Sequence, residues 1–268
     1  MSASSIAFTG SVPEKYETYL GPMLFEPYAI DLALRMKNIV LQNQVIELAC
    51  GTGRLTKHLR SRVPSNIKII ATDLNNDMIQ TAKSKNISGD IEWQVADAQD
   101  LNFTNESFDA VICQFGYMFM PDKEKAFAEA YRILKSGGNI LFSCWDKLEN
   151  NDLFNIANNT VRKYFPKDPP LFYYIPFSFY DTEIMRQLLT IAGFKNIQIE
   201  LVKKESISTS ANATIGILEG NPIYSFICER DASLLDIIRS SIEKEIAEKY
   251  GSDPLKAPMQ AWIINASK

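Results

Sequence analysis

Glu47, Gly51 and Gly53 are the residues of this 268-residue chain whose types and spacing point most directly to chemistry. They lie in Val45-Ile46-Glu47-Leu48-Ala49-Cys50-Gly51-Thr52-Gly53-Arg54-Leu55-Thr56, an apolar run with one acid that breaks on glycine and resumes with helical spacing. Such a run reads as a strand, a tight turn and a helix N-terminus, the place where open parallel sheets bind nucleotides. Dinucleotide sites set three glycines around a pyrophosphate on that helix N-terminus. Here Thr56 holds the third glycine position, and a carboxylate at Glu47 would repel a pyrophosphate at close range. The pattern suits a ligand that carries positive charge and no phosphate.

Two further strands repeat the design. Lys68-Ile69-Ile70-Ala71-Thr72-Asp73 is a buried-type run closing on an acid, placed to accept both hydroxyls of a ribose. Ile91-Glu92-Trp93-Gln94-Val95-Ala96-Asp97 closes on another, which can accept the exocyclic amine of adenine, while Ala98 leaves room for the ring. A fourth strand, Phe108 to Cys113, ends in Gln114-Phe115-Gly116. Each acid also has a bland reading as an ordinary strand-end or turn residue, but unpartnered buried carboxylates are rare.

These residues resemble a class I S-adenosylmethionine-dependent methyltransferase, in the branch holding quinone-ring and other small-molecule methyltransferases. The resemblance is carried by Glu47 to Gly53, Asp73-Leu74-Asn75 with Met78, Asp97-Ala98-Gln99, Phe108 to Val111, and Arg132-Ile133-Leu134-Lys135-Ser136-Gly137-Gly138. Ser136 stands where that family more usually has proline. The match covers roughly residues 40 to 146 and, more loosely, Asp181 to Lys204; the opening Phe8 to Tyr16 and Leu24 to Tyr28 also look like leader segments of that branch. The resemblance implies S-adenosyl-L-methionine as cofactor, S-adenosyl-L-homocysteine as product, and Glu47, Ala49, Gly51, Gly53, Asp73, Leu74, Met78, Asp97, Ala98, Gln99, Gln114 and Phe115 as the cofactor-binding set. The expected fold is α/β, a Rossmann-like doubly wound sheet of seven mostly parallel strands with an antiparallel last strand and a helical cap.

Composition sets outer limits. A net charge of −4 offers no electrostatic footprint for nucleic acid or an anionic membrane. No apolar stretch approaches the ~20 residues that span a bilayer. Met1 to Ser5 lacks the charged start and apolar core of a signal peptide, so a cytoplasmic enzyme is expected. Cys50, Cys113, Cys144 and Cys228 show no metal-like pairing, and the three at strand ends read as buried fillers; no metal is expected.

The elements that must position the acids follow from periodicity and caps. Helices are expected over Pro13 to Leu20, with Ser11 at its start, and over Leu24 to Lys37, Arg54 to Arg62, Asp77 to Lys85, Asp122 to Lys135 and Asp152 to Tyr164. Asp181 caps a further helix that stops at Gly193. Asn139 to Trp145 reads as the fifth strand, and Ile197 to Val202 and Met259 to Ile264 as the two closing strands. A single methyltransferase domain, 1–268, accommodates this: N-terminal helices or lid in 1–40, cofactor core in 41–146, cap insertions in 147–180 and 206–256, and closing elements in 181–205 and 257–268. A hairpin would need only a few residues where Ser206 to Lys256 lies, so a helical cap is expected there.

Methyl transfer asks little of the protein. An in-line displacement needs a nucleophile about 3 Å away with water excluded, and a carbon or amine acceptor needs alignment alone. The single histidine, His58, sits among Lys57, Arg60 and Arg62 and reads as a solvated surface residue, so no catalytic residue is assigned. Tyr16, Tyr19, Tyr28 and Tyr174 could line an acceptor or the methionine tail, and Phe172 to Tyr180 could wall a flat acceptor; helix and cap packing explain them equally well. Asp168-Pro169-Pro170-Leu171 resembles an amine-methyltransferase box but falls some fifty residues after the fourth strand, and is rejected. The partner expected is a small organic acceptor, with no nucleic acid; the oligomeric state is not legible. Two readings stay open beside it, a non-catalytic S-adenosylmethionine-binding regulator and a methyltransferase acting on a protein side chain. A nicotinamide-dependent dehydrogenase is disfavoured by Glu47 and Thr56.

Overall fold

A computed structural model describes residues 12–268. The segment from Phe8 to Ser11, including the expected start of the first helix, lies outside the described residues. The chain packs into two compact units.

The first unit is built on most of a sheet. Seven strands, β1 (Gln44–Glu47), β2 (Lys68–Asp73), β3 (Ile91–Val95), β4 (Phe108–Gln114), β5 (Leu134–Trp145), β6 (Lys195–Ser208) and β7 (Leu255–Ser267), line up in the order β3-β2-β1-β4-β5-β7-β6. The pairs β1–β2, β1–β4, β2–β3 and β4–β5 are parallel, and β7 enters antiparallel to β5. The order reverses between β1 and its neighbours β2 and β4, the switch point where such sheets bind ligands. The middles of β1 and β4 are apolar because parallel strands are covered on both faces: Val45, Ile46, Ala110, Val111 and Ile112 are wholly buried.

Helices follow the strands. In chain order they are α1 (Val12–Lys15), α2 (Glu26–Arg35), α3 (Arg54–Arg62), α4 (Asn76–Ser84), α5 (Lys123–Ile133), α6 (Asp152–Tyr164), α7 (Thr182–Ala192), α8 (Ser210–Glu219), α9 (Ile223–Asp231) and α10 (Leu235–Tyr250). Side chains cap α4, α5 and α7: Asn75 accepts from the Asp77 N–H, Asp122 from Lys125, and Asp181 from Glu183 and Ile184. Gly193 ends α7 at φ 104, as expected.

The second unit is mainly helical and comprises residues 12–27, 146–178 and 203–260 of the described chain, which include the last part of β6 and the first part of β7. The expected break between two N-terminal helices is absent. Tyr16–Phe25 is π-helical and joins α1 to α2 without interruption, carrying Pro22 inside it. The α10 stripe Ile238, Ile242 and Ile246 is wholly buried, the spacing of one helix face. Within this unit an Asp152 carboxylate oxygen accepts from Lys249 at 2.6 Å and from the Tyr250 hydroxyl at 2.7 Å, tying the start of α6 to the end of α10.

Candidate functional site

The C-terminal ends of β1, β2, β3 and β4 bring the predicted residues together. Register places Glu47 opposite Ala71 on one side and Ile112 on the other. The chain then leaves β1 through Leu48, whose N–H donates to Ile112, and Cys50, whose N–H donates to Thr72. Ala49, Gly51 and Gly53 all have positive φ (52°, 55° and 78°), so the turn is tightly wound before α3 begins. Gly53 has a further reason to be glycine: a Cβ there would lie 3.0 Å from the Trp93 ring and 3.1 Å from the Ala82 methyl.

Glu47 is 1% exposed. Among the described residues its Oε2 has no hydrogen-bond partner. Burial pushes the carboxyl up to about 8; the Thr56 hydroxyl, close by but short of hydrogen-bond geometry, opposes that shift, and the Asp73 charge adds to it. A buried carboxyl left part-satisfied is costly and needs a reason.

Asp73 does two jobs at the end of β2. One carboxylate oxygen accepts from the Gly51 N–H at 2.8 Å and the other from the Asn75 N–H at 2.8 Å. Burial raises its pKa, while the N–H groups of Asn75, Gly51 and Leu74 work against the rise. The carboxylate thereby ties the glycine turn to the second strand. Leu74, beside it, is 66% exposed, and Met78 is buried in α4.

Asp97 lies two residues beyond β3, and the chain is led there by the Ala96 N–H donating to the Asp73 carbonyl. Its carboxylate accepts from the Gln99 N–H at 2.8 Å and from the Gln99 side-chain amide at 3.1 Å. Gln99 in turn accepts the Asp122 N–H at 2.8 Å, linking this turn to the start of α5. Ala98 is half-buried. Gln114 pairs in register with Ser143 and is half-buried, whereas Phe115 is buried at φ 53 and stacks on Trp145. The whole expected cofactor set belongs to the sheet unit.

The aromatic residues divide. Tyr16, Tyr19 and Tyr174 belong to the helical unit. Tyr16 stacks on Phe25 at 4.9 Å, Tyr19 lies under the Lys15 ammonium at 5.4 Å, and the exposed Tyr174 hydroxyl accepts from Asn158 at 3.3 Å. Tyr28 is a core residue of the sheet unit; its hydroxyl donates to the Val202 carbonyl at 3.0 Å. The run Phe172 to Tyr180 is not one wall: Tyr173 and Phe177 are buried against Phe154, while Phe179 and Tyr180 belong to the sheet unit. Asp168 of the rejected box pairs with Arg230 at 2.6 Å. His58 is half-buried on α3 rather than fully solvated, a correction to the charged-face argument.

Sequence reasoning missed Thr56 as a neighbour of Glu47 and Trp93 as the reason for Gly53. Both signals were present in residue type, but only strand register makes them adjacent. Cys50, Cys113 and Cys144 are buried and Cys228 half-buried, with all four thiols unbridged; burial raises Cys113 to about 12, so it is inert as a thiolate. Among the described residues no cluster of acids, cysteines and histidine could hold a metal, and no helix is long and apolar enough to cross a membrane.

A sheet with this switch point, rimmed by acids and a glycine turn, defines a protein of the nucleoside-binding α/β class. A methyltransferase-domain family profile matches residues 45–138. The ubiquinone/menaquinone biosynthesis C-methyltransferase UbiE of Cronobacter sakazakii is 30% identical over 169 residues, covering 58% of this chain and 67% of that protein. UbiE of Francisella philomiragia is 30% identical over 172 residues, covering 59% and 69%. A Haemonchus contortus phosphoethanolamine N-methyltransferase 2, solved with S-adenosyl-L-methionine, shares the fold at TM-score 0.62 and 16% identity, over 97% of this chain and 57% of that one. The chain belongs to the class I S-adenosylmethionine-dependent methyltransferases, in the quinone-methyltransferase-like branch. Its reaction is methyl transfer from that cofactor.

Proposed function

We propose that Glu47, Asp73 and Asp97 hold S-adenosylmethionine along the sheet rim, and that the methyl acceptor is a small, flat organic molecule of the quinone-ring type. The observation that carries the reading is the Glu47 carboxyl, buried at the switch point with one oxygen lacking a partner. A cationic, phosphate-free ligand is what such a group fits. Glu47 would meet the ligand's positive charge, Asp73 its ribose hydroxyls, and Asp97 its adenine amine. Ala49, Gly51 and Gly53 keep the turn low enough for backbone approach, and Leu74, Met78, Ala98, Gln99, Gln114 and Phe115 complete the surround. When bound, the cofactor supplies an electrophilic sulfonium methyl.

The chain's own task is then binding, alignment and exclusion of water. A ring carbon made nucleophilic by its own oxygen substituent needs no base from the protein, and none is assigned. The names of the relatives favour a ring acceptor of the ubiquinone/menaquinone kind; Tyr16, Tyr19 and Tyr174 remain candidates to contact it. Absence of a membrane-crossing helix among the described residues and the net charge of −4 favour a cytoplasmic enzyme that does not act on nucleic acid.

Two measurements test this. Asp73→Ala should weaken S-adenosylmethionine binding by about 1–3 kcal/mol in calorimetry, the loss of charged hydrogen bonds. Unchanged affinity would remove Asp73 from the site. S-adenosylhomocysteine release should appear with a ring-demethylated quinol and not with a protein fraction; the reverse pattern favours a protein acceptor, and no release with either favours a regulator.

A further inference from the structure

The bend after β4 is strained, and three aromatic rings hold it. Phe115 has φ 53, a region that bulky L residues rarely enter and that stores strain when they do. Glycine or asparagine would take it far more readily, so the restraint comes from the surroundings. The Phe115 ring lies flat on Trp145, with centroids 3.9 Å apart and planes 7° from parallel. Tyr28 abuts both rings edge-on, at 5.4 Å each. Tyr28 is itself anchored through its hydroxyl to Val202. The Phe115 N–H donates to both the Ser143 carbonyl at 3.1 Å and the Ser143 hydroxyl at 3.3 Å, so backbone and ring are both held.

The strain is transmitted to the glycine turn. A Cβ on the next residue, Gly116, would lie 2.6 Å from the Ala49 Cβ and 2.5 Å from the Cys113 sulfur. Ala49 is the other non-glycine residue at this rim with positive φ, 52°. Two strained turns thus interlock through a contact that only glycine permits. If Phe115 relaxed to an ordinary φ, Gly116 would leave Ala49, and the turn presenting Gly51 to Asp73 would lose its support.

We propose that Trp145 is a positioning residue for cofactor binding: by stacking on Phe115 it holds the β4 bend in left-handed backbone and so keeps the Ala49–Gly53 turn in its binding shape. The inference rests on the cofactor reading above. A mere core-filling role for Trp145 also couples to Phe115 through packing, but in Tm rather than in the affinity of the folded chain. The positioning role moves the affinity itself, and that shift vanishes with Phe115→Gly, which adopts positive φ without a stack.

The test is a double-mutant cycle on the full chain, reading the S-adenosylmethionine dissociation constant by calorimetry, with Tm recorded alongside. Trp145→Leu should raise the constant about tenfold, the release of one strained residue. In the Phe115→Gly background the same substitution should change it less than about twofold, the sign of coupled sites. An equal effect in both backgrounds, or none in either, overturns the proposal. Should Trp145→Leu fail to fold, Trp145→Phe against Trp145→Met gives the same comparison, since only the former keeps a ring for the stack. Asp73→Ala runs in parallel: if it leaves affinity unchanged, the cofactor reading fails; if it weakens binding while Trp145→Leu does not, only the positioning role fails.

Discussion

Glu47 is stored in the protonation state that its ligand must change. With its pKa raised to about 8 by burial, the carboxyl is mostly neutral at pH 7. A cation beside it favours the carboxylate, so binding releases a proton. Cofactor affinity should therefore rise as pH goes from 6 toward 8 and level off above it; calorimetry in buffers of different ionisation enthalpy would count the proton. Stability runs the other way. A folded-state pKa above the unfolded value means that stability is fully present below about 4.5 and is lost as pH rises through about 8. Holding this group ionised costs on the order of 3–5 kcal/mol. Glu47→Gln should consequently be more stable than the parent at pH 9, with the gap closing toward pH 5, while binding the cofactor more weakly at every pH above 8. A Tm difference that stays flat across that range would refute the assignment.

The elements that carry the site are pinned by residues of no direct chemical role. Asp109, at the start of β4 and 4% exposed, accepts the N–H groups of Gln42, Asn43 and Gln44 on one oxygen and Lys135 at 2.7 Å on the other. Burial alone would raise its pKa, but Lys135 and the three N–H groups hold it below the usual carboxylate range. Asp109→Ala removes the acceptor from those donors and should cost about 1–3 kcal/mol, the loss of hydrogen bonds to a charged group whose partners are partly solvated; urea titration reads it directly. Its stabilisation is present above the ordinary aspartate range and is lost as pH falls through its lowered pKa. Gly193→Ala should also destabilise, by about 1–3 kcal/mol, because φ is 104° and a Cβ would lie 2.9 Å from the Tyr131 ring. Such caps and glycines were legible in the sequence because their preferences are local: α3, α6 and α7 run between the residues expected. Pairing was less legible. β6 and β7 extend well past Ile197 to Val202 and Met259 to Ile264, since hydropathy does not report how far two strands stay hydrogen-bonded. Tyr28, Phe115 and Trp145 could not be grouped beforehand, because three distant segments meet only through the sheet order.

At the scale of the whole molecule, the acids of the rim make a prediction about which cofactor stabilises the fold. Every residue of the expected binding set lies in the sheet unit, at the ends of strands or in the turns and helix that follow them, and these are disrupted if that unit opens. A ligand that binds only the folded state at a hundred times its dissociation constant adds about 2.7 kcal/mol to the unfolding free energy. For a chain of this size that corresponds to roughly 5–10 °C in Tm. S-adenosylmethionine and S-adenosylhomocysteine should both produce the shift in differential scanning calorimetry. S-adenosylhomocysteine is a neutral thioether with no sulfonium but keeps the ammonium, so a shared shift would locate the charge read by Glu47 at the amino-acid end of the ligand. NAD, with a pyrophosphate facing Glu47 and Thr56 in place of a third glycine, should produce none. A shift with NAD and none with either adenosyl compound would mean that Glu47 does not face the ligand, and the rim acids would then be structural residues only.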